Sequence, residues 1–370
     1  MDENKYQVID PENDKYKLTA QDILEEDKRR KTKKKKNNAV KVLTAIVLVL
    51  ALLVGSGAVF VNSYLSKMNF GEEQGEIDPA IDKEEQLEFD EQADADEDIR
   101  ANLSDDVLWY DDRIYNVLLI GVDYGDRVDG KYSNYLTRSD SMILLSINTI
   151  NNVINMVSLS RAVYVSIPGY GNRRLNAAHA YGGADLLIET IEKNYKIRID
   201  KYVKVDFSGF ENIINILGGV PIEMTAQEAK LVVGKSKAGV YELDGEHAIA
   251  YARLRSIDSD RKRTGRQRAV LNSIANKLRV SSASTLLTLL DDVLPLVTTN
   301  FTKTELLSQV ANAPKYLSME IHEDIIPHTA HPLTMRDGKE VLILNWAETN
   351  KYTHDLLYPG IIPQSAQKEQ

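Results

Sequence analysis

Residues 107–370 predict an α/β fold in which helices cover a central β-sheet. One pattern favours this class: apolar runs of strand length alternate along the chain with segments whose apolar residues recur at helical spacing. The composition agrees with a packed core, because 43% of the 370 residues are hydrophobic and 27% are charged. We expect the folded part to begin near Val107.

Short apolar runs rich in Val, Ile and Leu predict the strands of this sheet. Asn151 and Asn152 lie between two of the runs and predict a hairpin turn. The predicted strands cover residues 115–120, 141–147, 153–160 and 202–205.

Apolar residues at intervals of three and four predict the helices. Gly218, Gly219 and Pro221 follow the predicted helix at 207–217 and are typical of a helix end. The predicted helices cover residues 184–193, 207–217, 244–254 and 266–278.

The N-terminal part of the chain predicts a single membrane span. Residues 42–61 contain no charge, and twenty helical residues cover about 30 Å, the thickness of the hydrocarbon core of a bilayer. The basic cluster at 28–36 precedes the span, so the positive-inside rule places residues 1–38 in the cytoplasm. We therefore predict a cytoplasmic tail at 1–38 and a transmembrane helix at 39–61. A cleaved signal peptide is the alternative, although 38 residues precede the apolar run.

The formal charge of −10 is concentrated in one segment. Residues 72–106 carry 16 acidic and 2 basic side chains, whereas 107–370 is neutral. Such a composition predicts a disordered spacer, and we assign 62–106 as an acidic extracellular linker. The neutral remainder excludes an acidic DNA mimic. The absence of cysteine excludes disulfides, thiol chemistry and cysteine-ligated metals.

Two carboxylates flank neighbouring predicted strands. Asp123 follows the strand at 115–120, and Asp140 precedes the strand at 141–147. If these strands are adjacent in the sheet, both carboxylates converge at one point. Carboxylate oxygens suit Mg²⁺, which binds few protein ligands and completes its shell with water and phosphate. An Asp beside a strand is also a common turn residue, so the pair alone is a weak signal.

A basic cluster follows in the second half of the chain. Residues 253–268 contain seven Lys or Arg, and Arg263 and Gln267 are four apart, so that on a helix they would share one face. Arginine binds phosphate oxygens in a bidentate manner, so the cluster suits a polyphosphate ligand. Arg161, after the strand at 153–160, adds a further positive charge. A solvated basic loop and a nucleic-acid contact are the alternatives.

These motifs, in this order, resemble those of the LytR-CpsA-Psr family. The resemblance covers about residues 115–280, and the chain to about 358 is similar in a weaker way. The segments that carry it are 116–123, 138–142, 158–161, 175–183, 206–210, 217–220, 243–248, 251–255 and 263–267.

The resemblance implies an α/β/α fold with a central mixed sheet and a phosphotransferase of Gram-positive envelopes. Such proteins transfer a glycopolymer, such as wall teichoic acid or capsule, from an undecaprenyl-pyrophosphate carrier to peptidoglycan. It implies that Asp123 and Asp140 bind Mg²⁺, with Mn²⁺ as a substitute, and act in catalysis with Arg161. Asp123 is the candidate general base. The pyrophosphate would be held by Arg138, Arg161, Arg253, Arg255, Arg263 and Gln267.

The chain departs from the family pattern at one position. Family members commonly have Pro-Arg-Asp where this chain has Ser160-Arg161-Ala162, so a carboxylate is missing. The segment 124–137 also suggests an inserted loop. Two further functions stay open: a non-catalytic envelope scaffold, and a polyprenyl-pyrophosphate phosphatase that uses water as acceptor. We expect partners among lipid-linked glycan, peptidoglycan and membrane lipid, and no nucleic acid.

Overall fold

A computed structural model of the chain describes part of the sequence. The described residues are 69–70, 76–77, 97–103, 107–123, 135–254, 257, 259–280, 297–302, 304–305, 308–309, 312–316, 319–329, 331–336, 339–361 and 364–367. Within them, no helix has both the length and the apolar composition to cross a membrane. The predicted tail at 1–38 and the predicted span at 39–61 lie outside the described residues.

The strands of the described residues are β1 (Asn69–Phe70), β2 (Glu76–Ile77), β3 (Val107–Tyr110), β4 (Ile114–Val122), β5 (Tyr135–Leu136), β6 (Ser139–Asn148), β7 (Val153–Leu159), β8 (Tyr164–Ile167), β9 (Gly171–Arg174), β10 (Lys201–Asp206), β11 (Val220–Met224), β12 (Gly239–Leu243), β13 (Val297–Thr299), β14 (Glu320–Ile326), β15 (Leu333–Arg336), β16 (Lys339–Leu342) and β17 (Gln364–Gln367). The helices of eight or more residues are α2 (Ala177–Tyr195), α3 (Phe207–Ile216), α4 (Ala226–Val233), α5 (Gly245–Arg253), α6 (Asp260–Val280) and α8 (Trp346–Leu357). Two shorter helices are α1 (Glu97–Leu103) and α7 (Ala313–Tyr316).

The elements divide between two compact units. The described residues of the first unit lie in Ser208–Pro295 and Lys303–Ile321. Those of the second lie in Met68–Phe207, Leu296–Thr302 and His322–Gln370. The sequence predicted one domain over 107–370, and these residues fall in both units.

The second unit is built on a mixed sheet in the order β1-β13-β10-β4-β6-β7-β14. Strands β4 and β10 are parallel, whereas β6 is antiparallel to both β4 and β7. Strand β6 is buried along nearly its whole length, which explains why its sequence is a continuous apolar run. The predicted strands at 115–120, 141–147, 153–160 and 202–205 thus correspond to β4, β6, β7 and β10.

Helices flank this sheet and complete its core. Leu187 and Ile191 of α2 and Trp346 of α8 pack in one cluster with strand residues such as Leu118 and Leu144. The predicted helix at 184–193 is the larger part of α2. The α/β class with a central mixed sheet and flanking helices is confirmed.

The second unit also includes residues that we assigned to the spacer. Helix α1 buries Ile99 in the core, and β1 pairs with β13. The folded part thus begins N-terminal of Val107. The acidic composition of 72–106 conceals this helix, whose apolar face consists of little more than Ile99 and Leu103.

In the first unit, β11 and β12 form an antiparallel pair with α4 between them in the chain, and α6 contacts β11 while α5 contacts β12. Asp244 caps α5 by accepting a hydrogen bond from the backbone N–H of His247 at 3.1 Å. Thr225 and Glu228 form a capping box at the start of α4. The three predicted helices at 207–217, 244–254 and 266–278 correspond to α3, α5 and α6.

Candidate active site

Strands β4 and β6 bring Asp123 and Asp140 to the same end of the central sheet. The register pairs Gly121 with Ser141 and then Val122 with Ser139. Asp140 is thus the extra residue of a β-bulge, and Asp123 directly follows β4. A bulge turns a side chain away from the regular alternation of the strand, and bulges are common beside active sites.

We expected Asp140 to precede its strand, whereas it lies inside β6, at the second residue. Both carboxylates are half-buried. The sequence predicted their adjacency on the condition that the two strands are neighbours, and the antiparallel pairing of β4 with β6 meets that condition.

Arg161 forms an ion pair with Asp140. Its Nη1 donates to Asp140 Oδ1 at 2.7 Å, and the two side chains are 22% and 20% exposed. The backbone around Arg161 is held by its neighbours, because its carbonyl accepts from the N–H of Asn176 at 3.4 Å. The carbonyl of Ala162 accepts from the N–H of Leu342 at 2.8 Å.

The ion pair provides Arg161 with an orienting carboxylate although none is present at position 162. An Asp at this position could orient a neighbouring arginine, and Ala162 cannot. In this chain Asp140 of β6 holds the guanidinium of Arg161 instead. The substitution therefore does not leave Arg161 without an orienting group.

Thr137 and His179 connect the segments that carry the carboxylates. The Thr137 hydroxyl donates to the backbone carbonyl of Asp123 at 3.2 Å. The Thr137 carbonyl lies 2.5 Å from Nδ1 of His179, which is fully buried in α2. Arg138 follows Thr137 directly and is half-buried. We did not single out Thr137 or His179 from the sequence, although His179 belongs to the segment 175–183 that carries the family resemblance.

The described residues of the basic cluster at 253–268 lie in the first unit, on α5 and α6 or between them. Arg253, in the last turn of α5, is exposed, whereas Arg263 of α6 is only 2% exposed. Gln267 is half-buried and follows Arg263 by one turn of the same helix, as predicted. Arg255 lies outside the described residues.

Arg266, which we did not assign a role, ties α5 to α6. Its Nη2 donates to the carbonyl of Leu254 at 2.5 Å, and its Nη1 pairs with Glu228 at 3.2 Å. The Arg266 side chain is 4% exposed. It therefore fixes the end of α5, which carries Arg253, against the helix that carries Arg263.

Of the predicted site residues, the second unit brings together Asp123, Arg138, Asp140 and Arg161. The first unit holds Arg253, Arg263 and Gln267. Among the described residues, no group of three or more His, Asp or Glu is arranged as a metal cluster. The two carboxylates at the end of β4 and in β6 have the donor chemistry of a site that binds a hard divalent cation with few protein ligands.

The chain is similar in sequence to several curated proteins. TagT of Bacillus subtilis (strain 168), a polyisoprenyl-teichoic acid–peptidoglycan teichoic acid transferase, is 36% identical over 180 residues, which are 46% of this chain and 54% of that protein. The chain spans about half the length of the curated relatives it matches.

Two solved structures are similar in fold and sequence. TagT bound to LI-WTA aligns with a TM-score of 0.53 and 28% identity, over 66% of this chain and 91% of that one. TagT with bound octaprenyl pyrophosphate lipid aligns with a TM-score of 0.50 and 26% identity, over 66% and 91%. The model of the LytR_cpsA_psr family matches residues 65–356. The chain belongs to the LytR-CpsA-Psr family.

Proposed function

We propose that this protein is a phosphotransferase that attaches a glycopolymer from a polyprenyl-pyrophosphate carrier to peptidoglycan. Within the family, teichoic acid is the polymer named for TagT, and wall teichoic acid or a related polysaccharide is the proposed donor here. The observation that carries the proposal is the Arg161–Asp140 ion pair beside Asp123, at the bulged end of β4 and β6. This arrangement places carboxylates, which can hold a divalent cation, next to an arginine, which can bind the phosphate oxygens of a pyrophosphate.

The reaction joins an acceptor hydroxyl of peptidoglycan to the phosphorus next to the glycan. The bond from that phosphorus to the bridging oxygen breaks, and polyprenyl phosphate leaves with the electron pair. Phosphoryl transfer of this kind depends on positioning and charge neutralisation more than on covalent help from the protein. Asp123 is the proposed base that accepts the hydroxyl proton.

The proposed roles of the basic residues follow from their chemistry. Arg138 and Arg161 of the second unit would donate hydrogen bonds to phosphate oxygens. The family resemblance also assigns phosphate binding to Arg253, Arg255, Arg263 and Gln267. Arginine is suited to this task because its planar fork donates two parallel hydrogen bonds to a phosphate.

Asp123 and Asp140 would hold a Mg²⁺ ion, with Mn²⁺ as a substitute. Both offer hard oxygen ligands at one end of the sheet, which fits a cation that completes its shell with water and phosphate. Such an ion neutralises charge that develops on the transferred phosphate.

We further propose that the protein is anchored in the cell membrane of a Gram-positive bacterium. The apolar run at 42–61 and the basic cluster at 28–36 support a single span with the N-terminus in the cytoplasm. The family domain would then lie outside, beside the lipid-linked donor and the peptidoglycan.

The test uses the full chain in detergent, with a short-chain polyprenyl-pyrophosphate disaccharide and peptidoglycan oligomers. We expect Mg²⁺-dependent product, and its loss in Asp140→Ala but not in the matched control Asp112→Ala, whose side chain is 73% exposed. Lipid binding without product across several glycans favours a scaffold and contradicts the proposal. Product that contains only hydrolysed lipid favours a pyrophosphatase instead.

A further inference from the structure

His179 contacts a segment 42 residues away in the chain. It lies in the first turn of α2, is fully buried, and has its Nδ1 2.5 Å from the carbonyl oxygen of Thr137. A carbonyl oxygen can only accept a hydrogen bond, so the proton of this contact lies on Nδ1. The imidazole therefore acts here as a donor in one defined orientation.

Thr137 is linked to both segments that carry the carboxylates. Its hydroxyl donates to the carbonyl of Asp123 at 3.2 Å, and the next residue along the chain is Arg138. Asp140 follows at the bulge in β6. One buried peptide group, held by His179, thus lies between the end of β4 and the start of β6.

The turn that carries His179 also contacts Arg161. The backbone N–H of Asn176, which precedes the first residue of α2, donates to the Arg161 carbonyl at 3.4 Å. Helix α2 is then interrupted, since Gly182 and Gly183 have non-helical backbone angles. Gly183, at φ 63° and ψ −153°, has a conformation that essentially only glycine adopts. The first turn of α2 is therefore oriented separately from the rest of the helix.

We infer that His179 is a positioning residue of the proposed transfer site, and this inference rests on the proposed function. Its Nδ1–H group holds the Thr137 carbonyl and so fixes the placement of Arg138, Asp140 and Asp123. His179 does not itself contact the reacting atoms.

Loss of this bond leaves a buried carbonyl without its donor. A buried polar group in that state is costly, so the segment at Thr137 shifts to find another partner. A displacement of about 1 Å at a reacting group can lower a rate by about 100-fold. The effect should thus appear in kcat and in metal affinity, and less in the KM for the glycan acceptor.

Two substitutions separate this role from simple packing. His179→Asn places an amide nitrogen at the same distance from Cβ as Nδ1, whereas His179→Gln places it at the distance of Nε2. We expect His179→Asn to keep kcat and Mn²⁺ affinity within about threefold of the unmodified chain. We expect His179→Gln to lower both by tenfold or more at equal thermal stability.

Thr137→Val provides a second test should a His179 variant fold poorly. It removes the hydroxyl bond to Asp123 and keeps the carbonyl that His179 holds, so we expect a smaller loss of kcat in the same direction. Each variant is studied as the full chain in detergent, with Mn²⁺ affinity, kcat, KM and melting temperature measured together.

Three results would overturn the inference. The first is retention of kcat and Mn²⁺ affinity in His179→Gln, and the second is a loss in His179→Asn that equals the loss in His179→Gln. The third is a loss that merely tracks the unfolded fraction. An unmodified chain that binds no Mn²⁺ and forms no product contradicts the proposed function itself, and the inference with it.

Discussion

Arg161 and Asp140 are each suited to a different part of a pyrophosphate–metal complex, yet in the structure they bind each other. The 2.7 Å ion pair is partly exposed, so its net contribution to stability is small, at about 0–1 kcal/mol. Its importance is therefore positional. The pair keeps the guanidinium oriented while also placing a positive charge beside the carboxylate that we propose as a metal ligand.

Arg161→Gln should consequently raise the affinity of the lipid-free protein for Mn²⁺. A unit charge about 4 Å away in water contributes about 1 kcal/mol, which corresponds to about a fivefold gain. The same variant should bind polyprenyl pyrophosphate less tightly, because one phosphate donor is lost. Paramagnetic titration of Mn²⁺ measures the first effect.

Arg113→Gln is the matched control, since Arg113 precedes β4 at the end opposite Asp123 and pairs with Asp111. It should leave Mn²⁺ affinity unchanged. A fall in Mn²⁺ affinity in lipid-free Arg161→Gln contradicts the placement of the metal at Asp140.

The same control pair predicts a pH effect on stability. Hydrogen bonds from Arg113 hold the pKa of Asp111 below its usual range. A depressed pKa contributes stability above the pKa of the unfolded chain, and this contribution is lost as pH falls below about 4. Asp111→Asn should therefore be less stable at neutral pH and should lose less stability on acidification.

Thermal unfolding across pH 2–7 measures this difference. Asp355→Asn, whose side chain is 66% exposed in its pair with Lys351, should retain the profile of the unmodified chain. An Asp111→Asn profile parallel to that of the unmodified chain contradicts the assignment.

At the scale of elements, the sequence predicted the strands more accurately than the contacts between residues of different elements. Strands β4 and β6 are buried on both faces, so their apolar runs are strong local signals. The bulge at Asp140 depends on the register between two strands, and the contact of His179 with Thr137 joins residues far apart in the chain. Neither is encoded in a local pattern.

In the first unit, the positions of basic residues were predictable but their burial and contacts were not. The predicted helix began at residue 266, whereas α6 begins at Asp260 and includes both Arg263 and Gln267, which therefore share one helical face as their spacing predicts. Spacing could not show that Arg263 is buried or that Arg266, between them, holds α5 to α6. Burial of a charged side chain depends on tertiary packing, which the composition of a basic cluster does not reveal.

Arg266→Met should destabilise the first unit strongly. It removes the charged partner of Glu228, a side chain only 11% exposed, and breaking a partly or fully buried ion pair in this way costs up to about 3–5 kcal/mol. The bond to the Leu254 carbonyl is also lost. Urea denaturation of the full chain measures the loss in the free energy of unfolding.

Lys262→Met is the control on the same helix, because Lys262 is exposed. We expect a change within about 0.5 kcal/mol for this surface position. An equal and small effect of both substitutions contradicts the bridging role of Arg266.

At the scale of the whole molecule, charge and hydropathy are divided along the chain. The basic cluster at 28–36 and the apolar run at 42–61 precede residues 65–356, which the family model matches, and the acidic stretch at 72–106 lies near the start of that match. Such an order is typical of a protein held at a membrane by one helix.

The full chain should accordingly sediment with membranes after expression in a Gram-positive host. Protease added to intact protoplasts should digest the family domain and leave a fragment that contains residues 1–38. Deletion of 39–61 should move the protein out of the membrane fraction. A family domain protected in intact protoplasts contradicts the proposed orientation.

The central claim is transfer of a glycan phosphate to peptidoglycan, and the bond formed in the product tests it most directly. The full chain in detergent is incubated with polyprenyl-pyrophosphate disaccharide, peptidoglycan oligomers and Mg²⁺, and the products are analysed by mass spectrometry. We predict one polyprenyl monophosphate released for each disaccharide joined to peptidoglycan through a phosphodiester, and no product from Asp140→Ala. Released disaccharide phosphate with unmodified peptidoglycan, or bound lipid with no product, would contradict the account.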